Sequence, residues 1–335
     1  YKDVTDFEHN DYNMNSVGTG PYKLVDYQSG SYLKFEANEN YYKGEPSIKN
    51  VVFQIIENAD TAILALQNGE VDAYQMTPQQ VKKLDLDASN LSTYSYSEGR
   101  VGYLEINCNR VTDEKVRKAL LYAMDRKAMD DAAFESSEYY SIPYTFLPTN
   151  SQFYTEDGVE KYEQDVDKAK SMLEDAGVSG LKLKLGYMSS DAVQSAQALL
   201  IQEQLKEVGV TVELAGGDGT AIANAMKDPD NEYDMYLGGY IMGIDPDTFS
   251  SLFENDGAYN YMHYSGYDTI DQLFEEGRSE LDESARKETY AKLQAAVQDT
   301  GAFYPIISNN KILVVNNRIQ GVEDAGPVSY THLTL

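Results

Sequence analysis

The sequence has no tryptophan, one cysteine, three histidines and about half as many basic as acidic residues, and each shortage closes off a class of function. With Cys108 alone, an intrachain disulfide framework is excluded, and the redox compartment stays open. His9, His263 and His332 are scattered, and no HExxH or CxxC spacing occurs, so neither a zinc site nor a Cys and His nucleophile pair has a signal. There is no GxSxG elbow for a serine hydrolase. The 27 Lys and Arg against 55 Asp and Glu leave a formal charge of -28, which opposes binding to nucleic acid or to an anionic membrane surface. No run approaches the roughly 18 apolar residues of a membrane-spanning helix, and no basic segment followed by an apolar one opens the chain.

What is present reads as an α/β chain of two lobes, since 335 residues exceed the usual size of one core. "GPYKLVDY" and "SYLKFEANENYY" alternate apolar and polar residues about "QSGS", a hairpin with Gly30 in its turn. "IKNVVFQII" is a denser strand. Residues 58–69 read as a helix capped by Asp60 or Thr61 and stopped by Gly69, with a short strand over 71–74. Pro78 opens a further helix. "RVGYLEIN" is strand-like, and residues 111–134 read as one long amphipathic helix. Val116, Leu120, Ala123 and Met124 form its stripe, and Asp113 pairs with Arg117 at i,i+4. A helix over 167–176 closed by Gly177 precedes a strand, helix, strand succession through "LKLKLGYM", "AVQSAQALLIQEQLKEVG" and "VTVELAG", the order of a lobe with helices packed on a sheet. "YDMYLGGYI", two helices and terminal strands follow. The order alone implies a discontinuous first lobe, 1–108 with 309–327, and a second lobe, 109–308, joined by a hinge beside a cleft.

Few motifs carry chemistry. Gly18, Thr19 and Gly20 precede a proline and not a Lys with Ser or Thr, so a turn is expected there and not a phosphate loop. "DPDNEYD" has the acidic density of a calcium loop without its central glycine and closing glutamate. Asp245 and Asp247 are the nearest pair of carboxylates for a glycosidase, but they flank Pro246 and no spacing aims both at one substrate. Twenty-eight tyrosines give flat apolar faces with a hydroxyl, which suits a cleft for a mixed ligand as well as half-buried surface. In "YLGGYIMGIDPDTFSSLF" two glycines end a strand, so either a structural turn or a ligand wall is expected.

Five co-linear blocks then resemble one family. "VGTGPYKLVDY", "FEANENYYKGEPSIKNVVFQII", "ALQNGEVDAY", "YLEINCNRVTDEKVRKALLYAMDRKAM" and "GGYIMGIDPDTFSSLF" are similar to the extracellular solute-binding proteins, family 5, of ABC transporters, the class of the oligopeptide and dipeptide receptors. The resemblance implies a two-lobed type II periplasmic-binding-protein fold that closes about a hinge on a solute and presents it to membrane permease subunits, with no cofactor and no reaction. It implies a peptide as ligand, with a sugar or a nickel chelate as alternatives, and a monomer held outside the cell as a lipoprotein or free in the periplasm. A surface adhesin or chemoreceptor partner uses the same fold. By that analogy Tyr103, Asn107, Tyr240, Met242, Asp245, Phe249 and Tyr261 line the cleft, and Asn109 and Asn309 lie on the hinge strands. Peptide receptors of the family carry an aspartate for the peptide's amino terminus four residues before the proline of the "DP" turn. Here that position is Met242, so Asp245 or another carboxylate has to serve, or the amine is not the anchor. The "GTGPY" turn lies mid-chain in such receptors. This chain is therefore expected to be the C-terminal part of a longer one whose beginning carries the export signal, and 328–335, "VSYTHLTL", is expected to be a non-native tail.

Overall fold

The computed structural model describes residues 17–323 apart from Glu98, Glu135, Ser136, Met242 and Ile244; the suspected tail lies outside them. The chain divides into two units, 1–74 and 75–335. In the first, β1 (Tyr22–Gln28) and β2 (Tyr32–Ala37) form the expected hairpin, with Gly30 at φ 69°, a conformation glycine adopts without strain. β2 pairs antiparallel with β3 (Asn50–Gln54), and Phe35 and Phe53 meet edge to face, 5.7 Å between ring centres. Helix α1 (Ala59–Gln67) is capped by Asn58, whose Oδ1 accepts from the Thr61 amide at 2.9 Å. This corrects the expected cap at Asp60 or Thr61: Asn58 is the residue that keeps extended backbone ahead of the first turn. Gly69 at φ 72° ends the helix, and the following strand β4 (Ala73–Met76) starts later than the expected 71.

The second unit starts with α2 (Pro78–Val81), held by a Thr77 and Gln80 capping box, then α3 (Leu86–Ser89), β5 (Leu91–Ser97) and β6 (Arg100–Ile106). Next come α4 (Glu114–Tyr122), α5 (Arg126–Phe134), β7 (Tyr140–Ser141), α6 (Val166–Asp175) and β8 (Lys182–Met188). α7 (Ala192–Glu207), β9 (Thr211–Gly217), α8 (Gly219–Met226) and β10 (Met235–Ile241) complete the sheet region. A 3₁₀ turn (Pro246–Phe249), α9 (Ser250–Phe253), α10 (Asp268–Ser279), α11 (Glu283–Asp299) and β11 (Phe303–Asn316) follow. The mixed sheet runs β11, β6, β10, β8, β9, with β8, β9 and β10 parallel and β6 antiparallel to both its neighbours. β6 is covered on both faces. Leu104 and Ile106 enter a core with Leu120, Leu185, Ile201 and Leu237, while Val101 and Tyr103 enter another with Phe253, Phe274, Leu293 and Phe303. Burial on both sides explains why this strand reads as a nearly unbroken apolar run.

The single helix expected over 111–134 is two, and the stripe residues Val116, Leu120, Ala123 and Met124 are buried as expected. The break falls at 123–125, where tertiary partners replace helical ones. Gln164 donates to the Ala123 carbonyl at 3.2 Å, the Asp125 amide donates to Gln204 Oε1 at 3.0 Å, and Asp125 Oδ1 caps α5 through the Ala128 amide at 3.0 Å. The expected Asp113 and Arg117 pair is also absent. Asp113 caps α4 through the Lys115 amide, and Arg117 turns inward to donate to the carbonyls of Val111, Thr112 and Thr300 at 2.9 to 3.2 Å.

The terminal strands are one strand that changes partners along its length. The first part of β11 pairs with β6, Ser308 and Asn309 pair with β7, and residues from Asn310 onward pair with β5. Asn309 therefore sits where β11 passes from β6 to β5. On the opposing strand the corresponding junction is at Gly99, φ 72°, between β5 and β6. Asn109 lies beyond the far end of β6, its amide donating to Asn107 Oδ1 at 3.0 Å.

Candidate functional site

Open α/β sheets take ligands outside the carboxyl ends of their parallel strands. Here those ends are Met188 of β8, Gly217 of β9 and Ile241 of β10, and antiparallel β6 begins beside the last of them, with Arg100 paired to Ile241. Gly99 and Gly243, both with positive φ, let the chain turn at this rim. The paired glycines of β10 have a purpose that can be measured. A Cβ on Gly238 would lie 2.6 Å from Tyr103 Cε2, and one on Gly239 would lie 2.2 Å from Arg100 Nη2. Side chains of the neighbouring strand already fill the space above both glycines. The two glycines thus let Tyr103, on one face, and Arg100, on the other, pack directly over the β10 backbone.

Strand alternation sends Tyr103 and Glu105 to one face and Arg100 to the other. On the first face the tyrosines form a continuous row. Tyr103 stacks on Tyr240 at 6.2 Å, Tyr240 meets Tyr259 at 5.6 Å, Tyr259 meets Tyr261 at 6.2 Å, and Tyr261 meets Tyr236 at 6.2 Å. Three predicted site residues, Tyr103, Tyr240 and Tyr261, are brought together by it. Glu105 lies opposite Tyr236 in register and is fully buried, with no hydrogen-bond partner for either carboxylate oxygen among the described residues. Burial among these phenols raises its carboxyl well above the usual carboxylate range. The same burial pushes Tyr236 up to about 12.

The other predicted positions have different surroundings. Phe249 is 2 % exposed and packs against Phe146 at 5.3 Å, inside the core. Asn107 is buried past the other end of β6, its Nδ2 donating to the Tyr233 carbonyl at 3.4 Å. Asp245 caps the 3₁₀ turn and accepts from Arg286. Met242 lies outside the described residues. Asp247 pairs with Arg278 at 2.9 Å, so the two acids flanking Pro246 serve separate arginines. Burial pushes the Cys108 thiol up to about 11, which leaves it a weak nucleophile. Among the described residues no group of three His, Cys, Asp or Glu could hold a metal, and Asp234, in the acidic "DPDNEYD" stretch, is paired with Arg110 at 2.7 Å. The sequence reading missed Arg100 and Glu105, because a lone charge inside a strand has no periodic or motif signal.

The profile of the bacterial extracellular solute-binding proteins, family 5, middle region, matches residues 1–261. The oligopeptide-binding protein AppA of Bacillus subtilis is 27 % identical over 342 residues, covering 94 % of this chain and 61 % of that protein. Among solved structures, the ABC transporter substrate-binding protein CtaP of Listeria monocytogenes is 37 % identical with a TM-score of 0.90, over 98 % of this chain and 68 % of that one. A putative peptide-binding protein AppA from Clostridium difficile is 32 % identical with the same TM-score, over 98 % and 69 %. The fold class is therefore the type II periplasmic-binding-protein one that the resemblance implied. This chain spans about three fifths of the length of the curated relatives it matches. Among the described residues no helix is long and apolar enough to cross a membrane.

Proposed function

The chain belongs to the bacterial extracellular solute-binding proteins of family 5, and from that membership we propose that it captures a solute, a peptide, and delivers it to the permease of an ABC importer. The observation that carries this reading is the likeness over nearly the whole chain to an ABC transporter substrate-binding protein, at 37 % identity and a TM-score of 0.90. The tyrosine row supports it, since phenol faces hold mixed apolar and polar groups without committing to one side chain. Asp245 and Asp247 support it from the other direction: each is matched to its own arginine, so the nearest acids in sequence serve separate ion pairs and not one shared substrate.

In this reading Tyr240 and Met242 contact the solute, and the buried Tyr103, Tyr261, Asn107 and Phe249, with Asp245, hold the elements that carry them. The lobes move about the strand handover, at Asn309 on β11 and at Gly99 opposite it, a placement the pairing pattern favours over Asn109. The protein acts as a monomer outside the cytoplasmic membrane, as a lipoprotein or free in the periplasm. The test is uptake of isotope-labelled di- to nonapeptides by the source bacterium with and without the gene. Loss of peptide uptake that the full gene restores is expected. Unchanged peptide uptake with loss of another solute, such as a sugar or a nickel chelate, would overturn the peptide part.

A further inference from the structure

Arg100 differs from the other six arginines in how its charge is met. Arg110, Arg278 and Arg286 pair with carboxylates at 2.7 to 3.2 Å. Arg117 and Arg126 are buried and donate to backbone carbonyls, Arg126 also lying 3.9 Å from the Tyr304 ring centre. Arg318 has a partner of its own. Arg100 is half-buried, and its guanidinium makes one hydrogen bond among the described residues, from Nη1 to Asn309 Oδ1 at 3.4 Å. Among the described residues no carboxylate pairs with it, in a chain that has 55 acidic side chains.

The group is also held in place. Its plane lies across Gly239, where any Cβ would come within 2.2 Å of Nη2 and 2.6 Å of Cζ. A guanidinium has five N–H donors, and four of these have no partner among the described residues. It stands at the rim formed by the carboxyl ends of β8, β9 and β10, where a sheet of this kind receives ligands. The protein's overall negative field repels anions, so an anionic group would be retained there only by a local cation with free donors.

We propose that Arg100 is the anion anchor of the solute site, taking a carboxylate of the solute through its free guanidinium edge while Gly239 and Asn309 fix the plane. A planar fork matches a carboxylate through two parallel hydrogen bonds, which a lysine cannot reproduce. For a peptide the group is the C-terminal carboxylate or an acidic side chain. The inference rests on the rim being the solute site.

The test is calorimetric titration of the full-length protein and its Arg100→Gln and Arg100→Lys variants. The probes are trialanine and alanyl-glutamyl-alanine, each free and C-terminally amidated, with citrate as a non-peptide anion. Circular dichroism melts verify that both variants remain folded. The wild type is expected to prefer carboxylate-bearing over carboxylate-free probes by roughly tenfold or more, the scale of one charge-assisted contact. Arg100→Gln should erase that preference and Arg100→Lys should restore part of it. If peptides bind and the preference survives in Arg100→Gln, the anchor is wrong and the peptide reading stands. If only citrate binds, and Arg100→Gln abolishes it, the anchor stands and the peptide reading falls. Failure of every probe to bind the wild type overturns the anchor.

Discussion

Arg286 donates through Nη2 to both carboxylate oxygens of Asp245, at 3.0 and 3.1 Å, and so closes the most obvious substitute for the aspartate that Met242 replaces. Asp245 also accepts from the Asp247 amide at 3.0 Å, which caps the 3₁₀ turn. The Asp245 side chain is 47 % exposed, so the ion pair itself is screened and worth little. Asp245→Ala should therefore destabilise by about 1 to 2 kcal/mol, most of it from the lost cap, as read by urea denaturation. A loss well above that range would show that the acid has a larger structural role.

Gly238→Ala places a Cβ against the ring of Tyr103, which is itself 2 % exposed and packed at a tilt against Phe303, 4.6 Å between ring centres. The ring has nowhere to retreat, and the overpacking should cost about 1 to 3 kcal/mol. The companion change Gly30→Ala tests a different physics. No atom lies within 4 Å of its added Cβ, and the cost there comes from φ 69° alone, about 1 kcal/mol.

Asp130 is buried on α5, with Gln197 Nε2 donating to Oδ1 at 3.3 Å and no partner for Oδ2 among the described residues. Burial is the main cause that pushes its carboxyl up to about 8. The folded state then keeps a proton that the unfolded chain releases near pH 4. Its contribution to stability is full below about pH 4 and is lost as pH rises toward 8, with a slope of up to about 1.4 kcal/mol per pH unit. Asp130→Asn should flatten the melting temperature against pH over this window relative to wild type. Parallel profiles would contradict the assignment.

Arg117→Met removes the donor to the carbonyls of Val111, Thr112 and Thr300 from a side chain that is buried. Orphaned buried acceptors cost about 1 to 3 kcal/mol each, so the variant should lose at least about 3 kcal/mol in chemical denaturation. Arg117→Lys, which can reach one or two of them, should fall between.

Where the sequence speaks through local chemistry it reads well. Gly30, Gly69, Gly177 and Pro78 mark turns, stops and a start that the fold contains, since positive φ and a fixed φ are properties of single residues. The α4 and α5 break was hidden because the apolar stripe continues across it. The partners that replace the helical bonds, Gln164 and Gln204, are distant in sequence; the local trace was Asp125, an acid with capping ability inside a helical pattern. At the candidate site, Tyr103, Tyr240 and Tyr261 were legible through the family resemblance, and the row they form came from the fold. Phe249 and Asn107 carry the same family resemblance yet sit in the core, because position along a motif does not fix the face a side chain takes. Arg100 became visible only when Gly239 was seen beneath it.

The most direct test of solute capture is native mass spectrometry of the full-length protein equilibrated with a defined pool of unmodified peptides of two to nine residues. The account predicts one peptide retained per protein and recovered chemically intact, with the protein stabilised by about 2.7 kcal/mol at a hundredfold excess over Kd. Recovery of cleaved peptides, or no peptide retained from the pool, would contradict it.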